Sequence, residues 1–249
     1  MIRNERQDPL RDKRNVLVWA AVAGLLCVGL LGAGGAAAQE PLKVKIPEPG
    51  VPQIMTMEGR YIRAAYNNEG YAILGYKVAN LSFGEPWILL EVGFSLRDNV
   101  PDYIMMRDAL SLETPDGKTI PLPTVAEYRA ANLGALQNRA KVQSDNINYF
   151  PPNATNACRI GFFSDVDDRS RAWDQVEFTD HQACRGRLYF QVPGGITYGQ
   201  HWLNVKFANS LIRVPFRILT KDEAKLLDKN YKDIAKQVED AFKPPPKQK

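Results

Sequence analysis

Alternation of apolar and polar side chains is the feature that most constrains how this chain can fold. From residue 60 to residue 219 the dominant period is two, most clearly in segments 87–96, 187–192, 203–207 and 212–218. This period is typical of half-buried antiparallel strands. The strands are short and show no regular alternation with helices. The sequence therefore predicts a mainly β domain over residues 59–219, built as an antiparallel β-sandwich.

One turn signal supports the strand assignment. Thr114-Pro115-Asp116-Gly117 separates two short apolar segments, 109–113 and 118–122. Proline presets φ early in such a turn, and glycine tolerates the positive φ that closes it. These residues predict a β-hairpin.

Two helices are predicted from capping boxes, in which a threonine is followed three residues later by a glutamate. Thr124 with Glu127 opens a helix over 125–140, and Thr220 with Glu223 opens an amphipathic C-terminal helix over 221–242. The second helix has a narrow apolar stripe at helical spacing. We expect this stripe to dock on the sandwich, and docking on a partner is the alternative. Its members are Ala224, Leu227, Tyr231, Ile234, Val238 and Ala241.

The N-terminus has the composition of an export signal. A basic stretch precedes the uncharged run 16–38, which ends in an Ala36-Ala37-Ala38 triplet before Gln39. This order predicts cleavage after Ala38. An uncleaved anchor is the alternative. The strongly apolar part, 16–31, would span only about 24 Å as a helix, against about 30 Å of hydrocarbon, and the glycine-rich extension to Ala38 would be needed to cross.

The remaining segment boundaries follow from composition. Residues 39–58 form a proline-rich linker, 220–243 the C-terminal helix and 244–249 a Pro/Lys tail.

Basic and acidic residues are equal in number over 39–219. A neutral body without a basic run is a poor match for nucleic acid, so no nucleic-acid partner is expected.

Two cysteines remain after the predicted cleavage, Cys158 and Cys184. An even pair in an exported domain predicts one disulfide, and two buried thiols are the alternative. The loop of about 27 residues would contribute roughly 3.5 kcal/mol in the chain-entropy model. The cysteines lack a C-x-x-C spacing, so no metal site is predicted.

Signals for catalysis are weak. The chain has two histidines, His181 and His201, which we expect on the surface or in loops. It has no nucleophile elbow, phosphate-binding loop or zinc-protease motif. The acidic run 164–168 is interpreted as a solvated turn rather than a calcium site, because Arg169 and Arg171 follow it. No cofactor, metal or catalytic residue is predicted.

The outward positions of the last three strands form a candidate binding face. If these strands are neighbours, their outer side combines aromatic, basic and amide groups, which are common in binding surfaces. An ordinary solvent face or a seat for the C-terminal helix are the alternatives. The candidate residues are Arg187, Tyr189, Gln191, Trp202, Asn204, Lys206, Arg213 and Arg217.

The segment 185–193, ending in Val192-Pro193, and the following strand 203–207 resemble the closing strands of immunoglobulin-like, telokin-type sandwiches of bacterial secreted or lipid-anchored proteins. The resemblance covers about 35 residues. It implies a noncatalytic, extracytoplasmic sandwich and assigns no functional residue.

These observations lead to two functional hypotheses. The first is a noncatalytic interaction module of the cell envelope, periplasmic, secreted or anchored by its N-terminus, whose partner is an envelope protein or a glycan. The second is a hydrolase of envelope polymers. A deep cleft with His181 or His201 beside a carboxylate or a serine would favour the hydrolase. Membrane contact is expected only through residues 16–38, if they are uncleaved.

Overall fold

The computed structural model describes residues 53–164 and 171–242, and this part of the chain is mainly β, as predicted. The export signal, residues 39–52 of the predicted linker, the acidic positions 165–168 and the tail lie outside the described residues. Residues 54–58, also predicted as linker, belong to a strand with Met55 and Met57 buried, so the linker boundary at 58 is wrong. The strands are β1 (Ile54–Gly59), β2 (Ile62–Tyr66), β3 (Gly70–Gly75), β4 (Trp87–Leu96), β5 (Tyr103–Met106), β6 (Leu110–Glu113), β7 (Thr119–Pro121), β8 (Asn156–Ile160), β9 (Gln175–Phe178), β10 (Gln182–Gln191), β11 (Gly199–Lys206) and β12 (Leu211–Ile218). The helices are α1 (Lys77–Asn80), α2 (Val125–Ala130), α3 (Gly134–Val142) and α4 (Lys221–Phe242).

Two larger sheets share one apolar core. The first has the strand order β1-β2-β3-β4-β10-β8 and the second β12-β11-β6-β7, while β5 and β9 form a separate pair. Phe94 and Leu188 of the first sheet belong to the same buried cluster as Val205, Val214 and Phe216 of the second. Among the described strand pairs only β8–β10 is parallel. The arrangement is that of two sheets packed face to face, in agreement with the predicted sandwich.

The local signals for turn and helix start are confirmed. The hairpin joins β6 to β7, with Gly117 at φ 80° and the Thr114 N–H donating to Lys118 O at 3.0 Å. At the start of α2 the Thr124 N–H donates to Glu127 Oε2 at 2.7 Å, and the Glu127 N–H donates to Thr124 Oγ1 at 3.2 Å. These hydrogen bonds satisfy backbone donors that the first turn of a helix leaves without partners.

The predicted helix over 125–140 is wrong as a single element. Ala131 has an extended backbone (φ −82°, ψ 136°), which ends α2, and α3 begins at Gly134. The break allows Tyr128 of α2 and Leu136 of α3 both to be buried. A short, two-part helix therefore covers the sheet where one straight helix was expected.

Strand β4 is buried along both faces rather than half-buried as predicted. It lies in the interior of the six-stranded sheet, between β3 and β10. One face packs into the shared core, and part of the other is covered by residues 144–150, which we call the strap and whose Phe150 lies against Gly93. The polar groups of Glu91 and Ser95 are therefore buried together with the apolar ones.

Helix α4 packs along β1. It starts with the predicted Thr220–Glu223 capping box and has a kink at Asn230 (φ −117°, ψ 22°). Its stripe contacts the main core, with Leu227 and Val238 buried and Ala224, Tyr231 and Ile234 partly buried. The stripe prediction is wrong at Ala241, which is exposed, while the next residue, Phe242, is buried. The Tyr231 hydroxyl donates to Met57 O at 3.0 Å, and Asp228 pairs with Arg60 at 2.9 Å. Within the described parts of the chain, no helix is both long enough and apolar enough to span a bilayer.

Cys158 and Cys184 form the predicted disulfide. The two residues lie directly opposite each other on the parallel strands β8 and β10, with their Cα atoms 4.0 Å apart. The bond fastens the outermost strand of the six-stranded sheet to its neighbour. It is compatible with an oxidising, extracytoplasmic compartment.

Candidate functional site

The eight residues of the predicted binding face do not form one surface. Strand β10, with Arg187, Tyr189 and Gln191, pairs with β4 and β8 in the six-stranded sheet. Strands β11 and β12, which carry the other five residues, belong to the four-stranded sheet. The prediction assumed that the last three strands are neighbours, and that assumption is wrong because long-range pairing separates β10 from β11.

On the four-stranded sheet, the polar groups are engaged by contacts within the chain. The Arg213 guanidinium lies 5.0 Å from the ring centre of Trp202, pairs with Glu113 and donates to Asn204 Oδ1 at 3.2 Å. Trp202 is only 2 % exposed. Arg217 pairs with Glu223 of α4 at 2.6 Å, whereas Lys206 is exposed. This half of the predicted face therefore offers little free surface to a ligand.

The strap covers part of the outer face of the six-stranded sheet. Its Ile147, Tyr149 and Phe150 pack on a small apolar cluster that includes Ile73 of β3. Beneath Phe150 of the strap, strand β4 has Gly93. A side chain would not fit at this position, because a Cβ atom would lie 2.6 Å from Phe150 Cζ. The strap thus rests directly on the sheet.

A buried carboxylate fixes the start of the strap. Glu91, 6 % exposed, accepts hydrogen bonds from Ser144 Oγ at 2.9 Å and from the Asp145 N–H at 2.6 Å. Arg187 Nε lies 3.7 Å from the same carboxylate. Asp145 Oδ2 accepts the Lys77 N–H at 2.9 Å. Burial, with a contribution from the Glu91 charge, raises the pKa of Asp145 to about 6.

Between the strap and β8 lies a cavity of about 440 Å³. Tyr189 and Phe163 form an apolar part of its lining, with ring centres 5.3 Å apart. Ile160 and Gly186 also line the cavity, and a side chain at Gly186 would not fit there, since a Cβ atom would lie 2.6 Å from Ile160 O. The remaining lining residues are Glu91, Ser144, Asp145, Asn146, Ile147, Arg159, Arg185 and Arg187.

Three arginines and two carboxylates face this cavity. Arg185 is exposed, donates to Asn148 Oδ1 at 2.6 Å and lies 5.3 Å from the ring centre of Phe150. Arg187 is next to Glu91, and Arg159 is exposed on β8. Guanidinium groups bind carboxylates and phosphates through paired hydrogen bonds. We therefore take the cavity as the candidate site, and its chemistry suits an anionic group attached to a partly apolar body.

The two histidines lie outside the lining of the cavity. His181 is exposed, with Nε2 3.4 Å from Asp180 Oδ1. The expectation that His201 lies on the surface or in a loop is wrong, because it shares the inner face of β11 with Leu203 and Val205 and is fully buried.

Burial determines the chemistry of His201. Its Nδ1 lies 3.1 Å from Gly199 O, and its ring stacks on Phe216 with ring centres 5.3 Å apart. Nε2 has no hydrogen-bond partner among the described residues. Burial lowers the pKa of His201 to about 4. Within residues 53–164 and 171–242, no group of three or more His, Cys, Asp or Glu side chains is placed to hold a metal ion.

Part of the site could have been found from the sequence. Arg185 and Arg187 alternate along one strand around Gly186, and Glu91 is the only charge in an otherwise apolar β4 segment. Asp145 gave no such signal, because its role depends on the strap returning to the sheet. No family model, curated protein or solved structure matches this chain.

Proposed function

We propose that this protein is a noncatalytic interaction module of the cell envelope that binds its partner at the arginine-lined cavity. The observation that carries the proposal is the convergence of Arg159, Arg185 and Arg187 on one open cavity of about 440 Å³. A site with several guanidinium groups and an apolar floor favours binding and orientation of an anionic group.

Two further observations support an extracytoplasmic location. The disulfide joins β8 to β10, the strands that supply the three arginines, so oxidation stabilises the site itself. The N-terminal sequence has the order of an export signal. An envelope protein or an envelope glycan is the expected partner.

Hydrolysis of an envelope polymer is the second candidate function. Asp145 lines the cavity beside Glu91, and a carboxyl group with a pKa of about 6 can act as a general acid near neutral pH. Both oxygens of Glu91, however, accept hydrogen bonds from the strap, so this carboxylate has a structural role. The absence of both histidines from the lining also favours the binding module over the hydrolase of the second hypothesis.

Sedimentation with isolated envelope separates the two functions. The full chain is mixed with native envelope, and bound protein and released soluble fragments are both measured. The binding module predicts saturable co-sedimentation without fragment release, lost in Arg185→Glu and retained in Asp145→Asn. Fragment release by the native protein that disappears in Asp145→Asn would instead establish the hydrolase. Co-sedimentation unaffected by Arg185→Glu would contradict the proposed site.

A further inference from the structure

The four outer edges of the two larger sheets are protected to different degrees. Along β1 lies helix α4, whose Tyr231 donates to Met57 O. The edge of β12 is closed by the Gln53 side chain, which donates to Arg213 O at 3.0 Å and accepts the Arg213 N–H at 3.1 Å. Strand β7 has three residues and ends at Pro121, which cannot donate a backbone hydrogen bond.

Strand β8 is the exception among these edges. It pairs with β10 on one side, and the described residues place no strand on its other side. Directly after β8, Gly161 O accepts the Trp173 N–H at 2.7 Å, so the open part of the edge is β8 itself. Asn156, Ala157 and Arg159 are exposed along it, and it contains no proline. An edge of this kind presents backbone N–H and C=O groups that can pair with an added strand.

The charged residues beside this edge indicate which charge an added strand should have. Arg159 of β8 lies directly opposite Arg185 of β10, and Arg187 follows on the same side of β10. Both members of the opposed pair line the cavity. A carboxylate placed beside them would form charge-assisted hydrogen bonds with these guanidinium groups.

We propose that β8 accepts an extended acidic segment of a partner protein as an additional strand of the six-stranded sheet, with a carboxylate entering the cavity beside Arg159 and Arg185. The proposal rests on the proposed binding function and assigns the partner class. An added strand would lie about 4.8 Å from β8, and alternate side chains would point to the same face as Arg159. Acidic residues at every second position would therefore suit the site.

The test uses the full chain and labelled octapeptides, with binding measured by fluorescence anisotropy. The probe alternates threonine and glutamate. One comparison peptide replaces glutamate by lysine, and the other keeps the side chains but carries N-methyl groups on alternate backbone nitrogens. The proposal predicts saturable binding of the acidic peptide, and affinities lower by about tenfold or more for both comparison peptides.

Variants locate the binding. Arg159→Glu should lower the affinity for the acidic peptide by about tenfold or more, while Lys206→Glu, an exposed charge reversal on the other sheet, should leave it unchanged. The double variant Arg159→Glu/Arg185→Glu should prefer the lysine peptide. This reversal of preference requires a folded site, so it separates lost contacts from lost structure.

Several results would overturn the proposal. The first is that the native chain does not bind the acidic peptide. The second is that Lys206→Glu weakens binding of this peptide as much as Arg159→Glu does. The third is that the N-methylated peptide binds with the same affinity as the acidic peptide. If these occur while co-sedimentation with envelope still depends on Arg185, the binding function stands and the acidic strand is the wrong partner class. If co-sedimentation no longer depends on Arg185, the proposed function itself fails.

Discussion

The Glu91 carboxylate on β4 accepts the backbone N–H of Asp145 at 2.6 Å, although the two residues are 54 positions apart in the chain. Glu91 also accepts Ser144 Oγ and lies beside Arg187. One buried acidic group thus connects the strap to the strands that line the cavity. The stability of the strap and the shape of the cavity depend on the same side chain.

Replacing Glu91 by glutamine tests this connection. Glu91→Gln keeps the shape but removes the charge and leaves one strap donor facing an amide N–H₂ group. We expect a loss of about 1–3 kcal/mol in the free energy of unfolding, measured by urea denaturation. Glu85→Gln is the control, since Glu85 pairs with Arg139 at the surface and should change stability by less than about 1 kcal/mol. Equal effects of both changes would contradict the structural role of Glu91.

The stability of the protein should depend on pH through two groups with opposite effects, the buried His201 and the partly buried Asp145. The pKa of His201 is lowered to about 4, so the unfolded chain takes up a proton first as pH falls from 6.5, and stability decreases toward pH 4. The pKa of Asp145 is raised to about 6, so its contribution to stability is greatest below pH 3.8 and is lost as pH rises through 6.

Variants separate these two contributions. His201→Phe should lose less stability than the native protein between pH 6.5 and pH 4, because it cannot titrate there. Asp145→Asn should be most stabilised relative to the native protein near pH 7.5, with the advantage shrinking toward pH 4. Urea unfolding at each pH provides the measurement. A parallel pH profile for His201→Phe and the native protein would show that His201 does not titrate as described.

Removal of the disulfide should destabilise the edge at β8. Cys158→Ala/Cys184→Ala is expected to lose roughly 3.5 kcal/mol in the chain-entropy model for a loop of about 27 residues. Thiol labelling of the unfolded, unreduced protein checks the bond itself. The form that begins at Gln39 should show no reactive thiol, and the full chain should show only Cys27. Two further thiols per chain would contradict the disulfide.

Docking of α4 is tested by Ile234→Asp. A charge on the partly buried stripe should lower the melting temperature without changing the oligomeric state, because the helix packs on its own domain. Leu226→Asp is the matched control, since Leu226 is 40 % exposed and its substitution should have little effect. A change in oligomeric state on Ile234→Asp with an unchanged melting temperature would instead indicate that α4 is a partner helix.

Features that depend on residues close together in the sequence were predicted correctly more often than features that depend on residues far apart in the sequence. The hairpin at 114–117 and both capping boxes depend on residues within a few positions, so their sequence signals were sufficient. The burial of His201 could also have been predicted, because it alternates along the strand with Leu203 and Val205 and therefore lies on the same inner face. The sheet partner of β10 was not, because a repeating strand pattern does not specify which strands pair.

The cavity was the least predictable feature. It requires β8 to pair in parallel with β10, residues 144–150 to return to the sheet and Glu91 to hold Asp145. Each of these is a long-range contact, which depends on the packing of the whole core rather than on local composition. Of the eight candidate residues, only Arg187 and Tyr189 line the cavity.

Site-specific crosslinking tests most directly whether the arginine-lined cavity binds an envelope component. A photoreactive residue is placed at Asn146, which is exposed and lines the cavity, in the full chain within its native envelope. The account predicts one dominant crosslinked product that is lost in Arg185→Glu, is retained in Lys206→Glu, and is not formed when the photoreactive residue replaces Lys206. A product from position 146 that forms equally well in Arg185→Glu would contradict it.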